Sequence, residues 1–202
     1  MHPAFDRSEE YQRRRLAMVQ TAVYLFNRAG FHATSIAEIV RELGVSKAAL
    51  YYYFADKTDL LFNCYLHAVD NGRHLAESAA AHGGTGLEKL ETYIRNQFDA
   101  LVRKEGAAWI LSDLSVLSVE QREEVKKRSR IVDGLVRAFI QEGIDDGSIS
   151  AIDPKITEFF LMGSLNWLPR WYKPELGYTA AELTDIFLRF AFDGLRPRPG
   201  GG

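Results

Sequence analysis

The chain has 202 residues, 47% of them hydrophobic and 12% aromatic, which is apolar surface enough for a sizeable core, and its formal charge is −2. No apolar run approaches the ~18 residues of a membrane span, and the start MHPAFDRSEEYQRRR lacks the apolar region of a signal peptide. The one cysteine, Cys64, excludes an internal disulfide and a multi-cysteine zinc site, so the expectation is a cytoplasmic protein with no membrane partner and no cofactor, built as one small module and one larger helical domain.

In chain order, residues up to about Phe5 are expected to be disordered. Ser8 is placed to cap a first helix that runs to about Ala29, with Met18, Ala22, Leu25 and Phe26 on its apolar face and Gly30 as its stop. Arg13, Arg14 and Arg15 suit either phosphate contact or a solvated charge run. Thr34 precedes a helix N-terminus, where backbone amides favour a phosphate, although a plain cap would also use its hydroxyl.

The stretch Ser35–Leu60, SIAEIVRELGVSKAALYYYFADKTDL, organises the rest. Ile36, Ile39, Val40 and Leu43 recur at helical spacing, Ser35 and Glu38 form a capping box, and Gly44 stands where a helix needs a left-handed stop. Ser46 caps a second helix, Lys47–Tyr53, and Asp56 and Asp59 repeat the capping pattern for a third. Two short helices joined by a glycine turn fit a helix-turn-helix. A buried hairpin of helices is the alternative. Against it, the second helix offers Ser46, Lys47, Ala48, Ala49, Tyr51 and Tyr52, a small, hydroxyl-rich face, and a string of buried phenols would each need a hydrogen-bond partner. Its N-terminal end is predicted to enter a major groove. There Lys47 donates to guanine or phosphate and the alanine methyls meet a thymine methyl. Tyr52 reads as a phosphate clamp, Tyr51 as either kind of contact, and Leu50 and Phe54 as core. Between Tyr11 and Leu60 seven basic residues face four acidic ones, a local +3 on a net-negative chain.

A long helix from Lys57 to about Ala81 should link this head to the body. Gly83-Gly84-Thr85-Gly86 reads as a flexible hinge rather than a phosphate loop, because no strand precedes it and no GK[ST] follows. Further helices are expected over about Leu87–Lys104, Val119–Glu142, from Asp153-Pro154 to the Asn166–Pro174 segment, and from Thr179 to about Asp193, with Ala107–Leu117 a short apolar piece between the first two. RPRPGGG reads as a disordered tail. The last two helices carry more apolar surface than one chain can cover, including Phe160, Leu165, Phe187 and Phe190, which suits a symmetric four-helix dimer interface. Trp167, Arg170 and Trp171 share a helix face, as a cation–π clamp or as the mouth of an anion-accepting site. The five histidines are scattered, with no HExxH, paired-carboxylate or nucleophile constellation and no metal set.

Thr34, Ile36, Ile39, the run Gly44-Val45-Ser46-Lys47-Ala48-Ala49-Leu50-Tyr51-Tyr52-Tyr53-Phe54, Lys57 and Leu60, with Met18, Ala22, Leu25-Phe26 and Gly30 upstream, resemble the TetR/AcrR family of bacterial transcriptional repressors. The specific resemblance covers about residues 12–62. It implies an all-α fold of about nine helices: a three-helix DNA-binding domain over residues 8–55, a ligand-binding and dimerisation domain over 56–195, and a tail over 196–202. It further implies a homodimer on a palindromic operator, a phosphate contact from Lys57, and a small-molecule effector in a cavity lined by Phe62, Tyr65, Phe98, Leu101 and Trp109. The W-x-x-x-W-Y-x-P segment at Trp167 resembles that of regulators of fatty-acid, steroid and aromatic-acid degradation, which implies an acyl-CoA thioester as effector, met by Trp167, Arg170 and Trp171. A hydrophobic drug or a free carboxylic acid is the other reading. An architectural DNA binder without ligand and a helical enzyme are the alternative classes.

Overall fold

A computed structural model describes residues 3–102, 114–172 and 174–195. Among them are eight α-helices and no strand: α1 (Pro3–Ala29), α2 (Ile36–Leu43), α3 (Lys47–Tyr51), α4 (Lys57–His82), α5 (Gly86–Val102), α6 (Val119–Asp145), α7 (Pro154–Trp171) and α8 (Ala180–Leu195). Short 3-10 turns occupy Leu114–Val116 and Pro174–Leu176. The tail from 196 and most of the apolar piece Ala107–Leu117 lie outside the described residues. No helix among those described is long and apolar enough to cross a membrane.

The described residues form two compact units, divided within α4 after Ala68 and within α6 after Val125. In the first, one face of α1 (Met18, Val19, Ala22, Val23, Leu25, Phe26) is buried with Ile39 and Val40 of α2, Leu50 of α3, Phe54, and Leu60, Leu61 and Cys64 of α4. Helix α1 starts at Pro3 rather than at Ser8. Proline is tolerated in a first turn because its missing N–H would have no intrahelical partner there. The Cys64 thiol is buried, reaches the Val19 carbonyl at 3.6 Å, and burial pushes its pKa up, so the core role holds and no reactive thiolate is available for redox sensing.

In the second unit Leu90, Tyr93, Ile94 and Phe98 of α5 are buried with Val132, Val136, Phe139 and Ile140 of α6, Leu161, Leu165 and Leu168 of α7, and Leu183, Leu188 and Phe192 of α8. Helices α5 and α8 pack directly, with the rings of Phe98 and Phe187 5.4 Å apart. The glycine-rich segment before α5 is not the free hinge its composition suggested. Thr85 and Glu88 form a capping box, and the Gly86 N–H donates to Asp146 at 2.8 Å. A Cβ on Gly86 would stand 2.0 Å from the Gly143 nitrogen and 2.3 Å from the Phe139 carbonyl oxygen, so α5 starts backbone-against-backbone on α6. Helix α7 begins at Pro154 as expected, and Asp153 caps it, accepting from the Lys155 and Ile156 N–H groups. Pro169 does not stop α7. The helix loses one N–H there and closes two residues later, the Tyr172 N–H donating to the Leu168 carbonyl at 2.9 Å.

Candidate functional site

The head is assembled by local hydrogen bonds before any packing is counted. Ser35 Oγ accepts from the Glu38 N–H while Glu38 accepts from the Ser35 N–H, both at 3.1 Å. Gly44, at φ +66°, closes α2 and turns Val45 back onto the Val40 carbonyl at 3.0 Å. Ser46 Oγ then accepts from the Ala49 N–H at 3.1 Å, which starts α3 within two residues of that turn. Helix α3 is shorter than expected, ending at Tyr51; Tyr53 and Phe54 both return their N–H groups to the Leu50 carbonyl, and this tightened end drives the Phe54 ring into the core. Asp56 and Asp59 cap the approach to α4 as expected, the Asp59 N–H donating to Asp56 and the Ala55 N–H to Asp59.

These constraints leave Ser46, Lys47, Ala48, Tyr51 and Tyr52 exposed and Ala49 half-buried along one surface, with Leu50 turned inward. Tyr52 is 73% exposed, yet its ring is not isolated. Tyr11 of α1 meets it edge-on at 6.0 Å and lies 4.6 Å from Tyr53, and Tyr52 and Tyr53 stand edge-to-face at 5.1 Å. Lys57 places its ammonium 4.2 Å over the Phe31 ring, where burial pulls its pKa down. Arg15 hydrogen-bonds Asn63 and stacks 5.3 Å over Phe54, so it serves the fold, whereas Arg14 makes only an exposed pair with Glu10.

Thr34 requires a correction. It is 1% exposed, and its hydroxyl lies 2.8 Å from the Gly30 carbonyl and 3.2 Å from that of Leu25. The hydroxyl has one proton and directs it to the end of α1, out of reach of a phosphate. Ser35, not Thr34, caps α2.

The predicted effector residues fall in both units. Phe98 is buried, whereas Phe62 (half-buried) and Tyr65 (buried) belong to the first unit. Trp167 and Trp171 are exposed on α7. The side chains of Leu101 and Arg170, and Trp109 altogether, lie outside the described residues, so the indole–guanidinium clamp has only its indoles in view. Of the dimerisation residues, Phe160 and Phe190 are 74% and 87% exposed, but Leu165 is buried within a single chain and offers a partner no area. Phe187 is half-buried against Phe98. Polar groups also lie inside the second unit. Gln97 donates to the Tyr93 hydroxyl at 2.6 Å, and Glu158 is 2% exposed, with Arg137 Nε 3.6 Å from its Oε2. Burial, reinforced by Asp133 and opposed by Arg137, pushes the Glu158 pKa up.

Residues 83–195 match the family described as tetracyclin repressor-like, C-terminal domain, and residues 19–64 that described as bacterial regulatory proteins, tetR family. The chain belongs to the TetR family. Among its relatives, the transcriptional repressor KstR2 of Rhodococcus jostii (strain RHA1) is 24% identical over 207 residues, 96% of each chain. The TetR-family regulator PfmR of Thermus thermophilus superposes with a TM-score of 0.78 at 24% identity, covering 89% of this chain and 99% of that one. AibR, solved with isovaleryl coenzyme A and operator DNA, gives 0.77 at 24% identity over 89% and 98% of the two chains. At such identities the structural likenesses speak for the fold alone.

A TetR-family protein is a DNA-binding transcriptional regulator and not an enzyme, which removes the helical-enzyme alternative. Tyr11, Tyr53 and Phe31 were not singled out as site residues, because ring contacts between separate elements leave no periodic signal. Glu158 did leave one. It is an acid inside the apolar run ITEFFLMG, on the α7 face that also carries Leu161 and Leu165.

Proposed function

We infer that the protein is a ligand-responsive TetR-type repressor that binds a palindromic operator as a dimer and is released by a hydrophobic effector, an acyl-CoA thioester being the favoured class. The observation that carries the DNA reading is the surface left open by the two serine caps. Ser46, Lys47, Ala48 and Ala49 occupy the N-terminal end of α3 that enters a major groove, Tyr51 at its other end meets a base or a phosphate, and Tyr52 and Lys57 flank it as phosphate contacts. The functional division runs between a reading head over residues 8–55 and an effector and dimerisation body over 56–195.

Two heads in a dimer read successive major grooves when they stand roughly 34–36 Å apart. Helix α4 is continuous from Lys57 to His82, so an effector that tilts it changes that spacing. Release follows only if the effector binds the released form more tightly than the DNA-bound form. Support for a thioester comes from AibR, whose structure holds isovaleryl coenzyme A together with operator DNA. The exposed indoles of Trp167 and Trp171 offer stacking surface of the kind an adenine takes. Fluorescence anisotropy on DNA from upstream of the protein's own gene, with and without a panel of acyl-CoA thioesters, tests the reading. Specific binding relieved by one thioester is the expected result, and operator affinity unchanged by every candidate would refute induction.

A further inference from the structure

The DNA-reading head makes no use of a set of polar side chains in the second unit, where Asp133 and Glu158 act electrostatically on Tyr93. Tyr93 and Gln97 come from α5, Asp133 and Arg137 from α6, and Glu158 from α7. Tyr93 and Gln97 are buried and already joined by their 2.6 Å hydrogen bond. Glu158 is as deeply buried, and its Oε2 accepts no hydrogen bond among the described residues. Its nearest cation, Arg137 Nε, is 3.6 Å away, beyond hydrogen-bond reach, and that N–H already donates to the Asp133 carbonyl at 3.2 Å. Asp133 adds a second, half-buried carboxyl, and the other cation acting on it, Arg130, is exposed. The set is therefore rich in acceptors and short of donors. Buried carboxylates are ordinarily both paired and hydrogen-bonded, and Glu158 has its ion pair with Arg137 while its Oε2 lacks a hydrogen bond. On the α4 side, Gly72 presents no side chain towards Gln97. A Cβ there would stand 3.7 Å from the Gln97 Nε2 and 3.8 Å from a Val132 methyl, so the space beside the amide admits a methyl-sized group without displacing anything.

We propose that this cluster is the polar end of the effector site, and that it takes a neutral group bearing an N–H or O–H donor, such as an amide or an alcohol, while rejecting an ionised carboxylate. The proposal rests on the effector reading above and narrows its chemistry. A donor reaching Glu158 Oε2 pairs a buried oxygen that accepts no hydrogen bond, and the bond is charge-assisted when that carboxyl is ionised. A carboxylate arriving there meets two acids and one guanidinium in a low-dielectric interior. A CoA thioester satisfies the rule, because the amides of its pantetheine arm are donors, whereas the free acid of the same chain fails it.

The test is calorimetric titration of the full-length protein, without DNA and at neutral pH, with primary amides, alcohols and carboxylates of matched chain length. The amide or alcohol is expected to bind at least about tenfold more tightly than the carboxylate. Glu158→Gln is expected to bring that ratio close to one while shifting the thermal stability of the unliganded protein, since it removes one partner of the Glu158–Arg137 pair. A purely structural Glu158 would move the stability and leave the ratio alone. Asp133→Asn, at a half-buried position, provides an independent variant and should raise carboxylate affinity. Equal or tighter carboxylate binding, an unchanged ratio in both variants, or no binding by any member of the panel would overturn the proposal. Operator release is read separately. The ratio without release would sink induction and leave the site, whereas release by a thioester without the ratio would sink the site and leave induction.

Discussion

Phe190 gives the dimer reading a quantitative test. Its ring, on α8, is 87% exposed, so Phe190→Ala removes almost no packing from a single chain. In a two-fold dimer built on α7 and α8 each copy loses that ring. Fully burying a phenylalanine side chain is worth ~1.5–3 kcal/mol, and the symmetry doubles it to about 3–6 kcal/mol per dimer. That corresponds to roughly two to four orders of magnitude in the dimer dissociation constant. Analytical ultracentrifugation across a concentration series reads this directly. The variant should dissociate where the parent protein remains dimeric, its thermal unfolding at low concentration should match that of dissociated parent, and its operator affinity should fall as each head loses its partner. Leu165→Ala is the contrast. That side chain is 1% exposed in one chain, so its truncation should cost ~2–5 kcal/mol of fold stability instead. A Phe190→Ala protein that stays dimeric at the same concentrations as the parent would refute the assignment of α8 to the interface.

Gly86→Ala should lower the stability of the second unit by ~1–3 kcal/mol or more, because the added Cβ meets the Gly143 and Phe139 backbone rather than a movable side chain, and an unchanged melting temperature would contradict the close approach. Thr34→Val should destabilise the head by ~0.5–1.5 kcal/mol through the loss of its buried hydroxyl hydrogen bond, the Gly30 carbonyl keeping the Thr34 N–H, with no change in the salt dependence of operator binding. Lys47→Ala should do the reverse if its contact is a phosphate, reducing the salt slope by about one with little effect on stability. Tyr11→Ala should weaken operator binding about two- to tenfold, the worth of one aromatic pair holding Tyr52 in place, whereas Tyr11→Phe should retain it; equal loss in both variants would show that the phenol, not the ring, matters.

The head was legible because its signals are local. Ser35 with Glu38, Gly44, Ser46, and Asp56 with Asp59 each set a hydrogen bond within four residues of themselves, and the caps appeared where those residues predicted. Thr34 misled because a hydroxyl beside a helix start looks the same in sequence whether it faces water or the end of the preceding helix. Tertiary packing decided that it faces the carbonyls of Leu25 and Gly30. Gly86 misled in the opposite sense. Glycine composition suggests freedom, but here the missing Cβ is what lets α5 touch α6. In the second unit, stripe periodicity found the helices and could not sort their faces. Leu165 and Phe160 sit on the same apolar helix, one buried and the other almost bare, and only the packing of α5, α6 and α8 separates them. The Glu158 cluster joins three helices far apart in sequence, so beyond the one acid in an apolar run it leaves no contiguous motif.

The most direct test of the whole account is fluorescence anisotropy of the purified protein, at fixed salt, on operator-candidate DNA from upstream of its own gene, titrated with acyl-CoA thioesters. The expected result is tight, sequence-specific binding that one thioester relieves. Specific binding that no thioester and no neutral donor-bearing ligand disturbs would contradict a ligand-responsive repressor and leave a DNA-binding protein without a sensor.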